Sequence, residues 1–171
     1  YIDMEKLYEK LSLEFENAVF RFQDIKYTGL GSTYMLVSTY DVEFYYKGYH
    51  IISSQELGNS NMGRIIVCLN NKIVPDFTIE TIDHFTNLFL RSKSLLKIKC
   101  KRESFKKILF DAAVSSRLNE IINKNSLEPK IYTENKGNMH YIKTDYSLQF
   151  EDKIGGLRAL LNFYKILIDH V

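Results

Sequence analysis

Tryptophan is absent from these 171 residues, and the aromatic surface is carried by 12 Tyr and 11 Phe instead. A core of Phe, Leu and Ile with Tyr at its polar edges is therefore expected. Cysteine is scarce. Cys68 and Cys100 can form at most one bridge, and their spacing fits no zinc pattern. Both sit among alternating or apolar residues, so they are read as unbridged, inward-facing thiols of a reducing compartment. No apolar run approaches the ~20 residues that a membrane-spanning helix needs, and no signal peptide opens the chain. The four histidines, His50, His84, His140 and His170, fall into no HxH or HExxH spacing. "GLGS" at 29–32 lacks the further glycine of a dinucleotide loop and the Lys-Ser/Thr ending of a phosphate loop. No metal and no cofactor is expected.

What is present is ordinary globular material. Hydrophobic residues are 45% and charged residues 26%, enough for one core and against disorder. The expectation is a single soluble domain over 1–171. The sequence does not open with Met, so it is read as a piece of a longer protein. Its abundance of Lys, Asn, Ile and Tyr points to an AT-rich bacterial coding bias.

The order of elements follows from periodicity. "MEKLYEKLSLEFENA" puts Met4, Leu7, Leu11 and Phe15 on one helical face, with Tyr8 beside it. "VFRFQDIKY" suggests an extended segment, and 34–70 reads as three strands. The third of these, "RIIVCL", is expected to be buried on both faces because its apolar residues run together. Asp76 or Thr78 can cap a helix over 78–91, with Ile79, Ile82, Phe85 and Phe89 recurring every three to four positions. "LLKIKCK" is strand-like. A long helix is predicted over 104–123, a hairpin turning at 135–138, and a last helix opened by Asp152. Hairpin-linked strands alternating with helices predict an α+β fold: a mainly antiparallel sheet packed against about four helices.

One stretch raises a functional question directly. "YDVEFYYKGYHII" (40–52) holds five aromatic rings around a Lys-Gly pair. A nucleic-acid stacking platform needs such rings beside positive charge. Here Tyr40, Val42, Phe44 and Tyr46 alternate with Asp41, Glu43, Tyr45 and Lys47, so the rings share a face with valine and the carboxylates take the other. That is a half-buried hairpin turning at Lys47-Gly48.

Charge is the uneven feature. Between 91 and 107 there are eight basic residues, Arg91, Lys93, Lys97, Lys99, Lys101, Arg102, Lys106 and Lys107, against one acidic residue, Glu103. Residues 1–60 hold nine acidic and five basic residues instead. Lys97, Lys99 and Lys101 share one face if "KIKCK" is a strand, with Ile98 and Cys100 inward. Such a patch can bind nucleic acid, an anionic membrane surface or an acidic partner. It can also be a solvated edge that discourages aggregation.

"VEFYYKGYHI", "GRIIVCL", "PDFTIE" and "LRALLNFYKILID", in that order, resemble the bacterial family called domain of unknown function 3137. The resemblance implies a soluble α+β domain that follows membrane-spanning helices, and it carries over no activity and no catalytic residue.

Together these readings predict a non-enzymatic protein-interaction or regulatory domain in the cytoplasm, with a protein as its partner. The resemblance adds a membrane tether in a segment outside this sequence. One alternative is an anionic-ligand binder using 91–107, its ligand a nucleic acid or an anionic membrane surface. Another is a hydrolase-like enzyme with dispersed groups, such as Cys68 with a histidine or Ser115-Ser116. No catalytic residue is assigned, and the oligomeric state is left open.

Overall fold

The computed structural model describes residues 4–28, 34–70, 72–82 and 95–171. Among them are α1 (Met4–Ser12), β1 (Val19–Thr28), β2 (Tyr34–Tyr46), β3 (Tyr49–Leu57), β4 (Met62–Cys68), β5 (Phe77–Thr81) and β6 (Leu96–Cys100). They are followed by α2 (Glu103–Ser115), α3 (Leu118–Asn125), β7 (Lys130–Lys136), β8 (Met139–Ser147) and α4 (Lys153–Ile168). The strands form one sheet in the order β1-β2-β3-β4-β8-β7-β5-β6, every described pair antiparallel. This is the expected α+β architecture with four described helices. No described helix is long and apolar enough to cross a membrane.

The sheet has one dry face and one wet face. Tyr40, Val42 and Phe44 of β2, Ile51 of β3, Ile65 and Val67 of β4, Ile142 and Tyr146 of β8, Ile131 of β7 and Ile79 of β5 are buried. They alternate with exposed or half-buried neighbours, as a strand with one covered face must. The helices supply the cover. Tyr8 stacks on Tyr40 at 4.8 Å and Phe15 on Phe44 at 4.6 Å. α4 meets α1, α2 and α3 and buries residues around most of its circumference, Leu157, Leu160, Leu161, Phe163, Tyr164 and Leu167 among them. Asp152 caps it, its carboxylate accepting from Gly155 N at 2.8 Å. A polar seam crosses the core: Gln55 donates to Ser53 Oγ (2.6 Å) and to Tyr146 OH (3.1 Å), and Thr144 bonds Tyr164 OH.

The β2–β3 turn is the predicted one. Lys47 (φ 48°) and Gly48 (φ 81°) both have positive φ, as a two-residue hairpin matched to strand twist demands. The rings of 40–52 divide between the two faces: Tyr40 and Phe44 are buried, Tyr46 donates to Asp169 Oδ1 at 2.9 Å, and Tyr45 is exposed on the wet face.

Five expectations are corrected. The first helix ends at Ser12, whose hydroxyl bonds Glu9 O at 2.6 Å; Phe15 reaches the core from a turn. β4 is buried on one face only, with Ile66 and Cys68 half-buried on the other, because the described helices cover a single side of the sheet. Cys68 is thus outward, not inward; Cys100, alternating with Lys99, is half-buried on the helix side. The segment from Phe77 is a strand, not the start of a helix: Phe77 and Ile79 point inward while Thr78 and Glu80 point outward. The remainder of the predicted 78–91 helix, beyond Ile82, lies outside the described residues. The long helix over 104–123 is two. Ser116 Oγ bonds Ala113 O (3.3 Å) and accepts from Leu118 N (3.4 Å), and Arg117 turns left-handed at φ 63°. The serine side chain competes for helical backbone partners, and the bend buries Leu118 and Ile122.

Candidate functional site

The basic stretch begins where β5 and β6 pair, Thr78 opposite Lys99 and Glu80 opposite Lys97. Lys97 and Lys99 are exposed on the wet face, and Lys101 is exposed just past the strand end. Arg102 is extended (φ −94°, ψ 105°), and its carbonyl receives Lys106 N at 2.9 Å as α2 starts. The N-cap residue Arg102 makes no side-chain cap, so the first N–H groups of α2 lack the usual acceptor at the helix end where partial positive charge gathers. Cys100 Sγ donates to Arg102 O at 3.6 Å and helps hold this bend.

On the opposite side the sheet splits. β5 pairs with β7 only at Thr78–Tyr132 and Ile79–Ile131 among the described residues. Before Thr78 the chain comes from Pro75, which has no N–H to offer. Thr133 closes the fork with its side chain: Oγ1 accepts from Phe77 N (3.3 Å) and bonds Asp76 Oδ1 (3.4 Å). The fork opens into a cleft of about 930 Å³. Lys99, Lys101, Arg102 and Lys106 line it with a single carboxylate, Asp76, and with Thr133 and Asn135 on the β7 side.

The charges of this cleft differ from those of the sheet beside it. On the wet face, cations and carboxylates neutralise each other in short ladders. Glu43 bonds Arg21 (2.7 Å) and His50 (2.8 Å), Asp145 bonds Arg64 (2.7 Å), and Glu134 takes Lys143. Glu80 sits between Lys99 (3.1 Å) and Lys130 (3.9 Å), and its carboxyl is held below the usual range chiefly by the Lys99 hydrogen bond. Lys106 reaches Glu103 at 3.5 Å, a neighbour one turn back on its own helix. Lys101 and Arg102 make no ion pair among the described residues.

Of the eight predicted anion-binding residues, Lys99, Lys101, Arg102 and Lys106 meet at this cleft. Lys97 lies beside Glu80, and Lys107 is exposed without lining the cleft. Arg91 and Lys93 lie outside the described residues. Sequence reasoning missed Thr133, Asn135 and Asp76, which reach the cleft through strand register and carry no local signal.

The structure also tests the cysteine–histidine idea. Cys68 lies directly across from His50 on the wet face. The thiol, however, donates to Asn70 Oδ1 at 3.4 Å, while His50 Nε2 bonds Glu43 and its ring stacks on Tyr45 at 4.6 Å. No Cys68–His50 hydrogen bond links nucleophile to base, as such a pair requires. Ser116 spends its hydroxyl on the helix break. Among the described residues no group of His, Cys, Asp and Glu is placed to hold a metal.

No protein-family model, curated protein or solved structure matches the chain.

Proposed function

We propose that this chain is a binding domain, and that its cleft at the β5–β7 fork takes an anionic group, a carboxylate or a phosphate. The observation that carries the reading is the charge balance of one concave site: four cationic side chains against one carboxylate, at the uncapped start of α2. Two of those cations, Lys101 and Arg102, have no partner of opposite charge among the described residues. Donors gathered in a concave surface around a helix start suit an acceptor-rich ligand. Arg102 adds a planar fork of donors that fits carboxylate and phosphate geometry.

The test is a titration of the isotopically labelled domain with sodium phosphate and with sodium acetate at low ionic strength. Backbone amides are followed by heteronuclear NMR. Saturable shifts concentrated on residues 101–106, weakened by added chloride and lost in the Lys101→Glu/Arg102→Glu variant, are expected. Shifts spread evenly over the surface lysines, or none, overturn the reading.

A further inference from the structure

Among the described residues, the fork that opens the cleft also leaves part of β7 without a neighbour on the β5 side. β7 runs to Lys136, yet its last partner on the β5 side is Tyr132. On its other side β7 is paired with β8 along its whole length, from Lys130–Asp145 to Lys136–Met139. Phe77 lies beside Thr133, so residues 134–136 form the strand segment that is ordered by β8 and, among the described residues, open toward the cleft. Alternate residues of such a segment turn their N–H and C=O outward, ready for another strand. Phe77 N, the last donor of β5 before the fork, is already taken by the Thr133 hydroxyl, so β5 cannot zip further along β7.

The geometry points to an extended acidic segment of a protein partner, added as a strand beside residues 134–136 with its carboxylates against the cationic wall. Two independent features converge on this occupant. Open backbone groups ask for a polypeptide, because main-chain hydrogen bonds are what strand addition supplies. The wall asks for negative charge, and its cations flank the gap from two sides. Lys99 and Lys101 belong to the wet-face side of β6, and Arg102 and Lys106 to the start of α2, which packs with β6 in the helix layer. A strand sends successive side chains to opposite sides, so carboxylates on either register can meet a cation. The open length, three residues at about 3.3 Å each, spans roughly 10 Å and fits a short linear segment. Two carboxylates oppose it, and both are engaged: Asp76, the one that lines the cleft, is bonded to Thr133, and Glu134 of β7 is paired with Lys143. This inference rests on the anionic reading of the cleft and names the class of ligand.

The experiment uses a fluorescent peptide of alternating Glu and Val, titrated with the whole domain and read by anisotropy at low salt. Two further peptides carry N-methyl groups on alternate backbone nitrogens, one in each register. The expected result is saturable binding that falls at least tenfold in the Lys101→Glu/Arg102→Glu variant. N-methylation in one register should weaken binding at least tenfold, and in the other register much less. If both N-methylated peptides bind like the parent, strand addition is wrong while the anionic cleft stands. If neither the peptide nor phosphate binds, both readings fall. If single-stranded nucleic acid or phosphatidylserine vesicles bind more tightly than the peptide, and lose that binding in the same variant, the cleft serves a polyanion and the peptide is overturned.

Discussion

Gly63 of β4 sits opposite Tyr146 of β8, and the tyrosine ring fills the place of the missing side chain: a Cβ on Gly63 would lie 2.2 Å from the Tyr146 ring. The ring is buried, and its hydroxyl accepts from Gln55 at 3.1 Å, so it has no free direction in which to retreat. Gly63→Ala should therefore lower unfolding stability by about 1–3 kcal/mol, the range of overpacked core positions. Chemical denaturation measures this. A Tyr146→Leu background should absorb much of the added methyl and shrink the increment, a coupling visible in a double-mutant cycle.

Phe44 and Tyr45 are adjacent, yet they should differ sharply. Phe44 is 2% exposed and stacked on Phe15, while Tyr45 is 64% exposed and touches His50 on the wet face. Phe44→Ala is expected to cost roughly 3–5 kcal/mol. Tyr45→Ala should cost about 0.5 kcal/mol or less, as surface substitutions do. Equal losses in the two variants would contradict the assignment of faces.

That assignment was legible in the sequence because alternation is local: Val42 and Phe44 against Asp41 and Glu43 leave one way to lay the strand. The turn at Lys47-Gly48 and the cap at Asp152 were legible for the same reason. The fate of "FTIETIDHF" was not. Phe77 and Ile79 carry period two, whereas Ile79, Ile82 and Phe85 carry a helical spacing, and only the slot between β6 and β7 decides for strand through Thr81. Nor could "RIIVCL" announce that the described helices would cover a single face. The basic stretch was visible as composition, but its concavity arises where β5 stops following β7, a consequence of register between segments some fifty residues apart.

Cys68 and Cys100 should remain two thiols. They lie on different strands of the sheet, β4 and β6, which β8, β7 and β5 separate, and both are free. Denatured protein without reductant should take up two equivalents of a thiol reagent per chain, and native protein should label at Cys68 first. Cys68 stands on the uncovered face, whereas Cys100 packs partly against the core. A single labelled thiol after denaturation, or faster native labelling of Cys100, would contradict this placement.

Acid should weaken the fold, and Glu14 should carry part of the effect. Arg158 of α4 donates Nε to Glu14 Oε2 and Nη2 to Oε1, each at 2.7 Å, tying the last helix to the turn that follows α1. These hydrogen bonds hold the Glu14 carboxyl below the usual range. Asp169 is held down likewise, first by its bond from Lys47. Because these folded-state pKa values are depressed, the unfolded chain binds more protons than the folded one as pH drops. Their stabilisation is fully present above the unfolded carboxylate values of about 4. It is lost as pH falls through the lower folded values. Glu14 is 41% exposed in its side chain, so solvent screening limits its share to roughly 1 kcal/mol or less. Urea unfolding of the native chain and of Glu14→Gln should thus differ near pH 7 and converge near pH 2, with the variant showing the shallower slope between pH 5 and 3. Parallel curves across that window would show that the Arg158 bond contributes nothing to acid sensitivity.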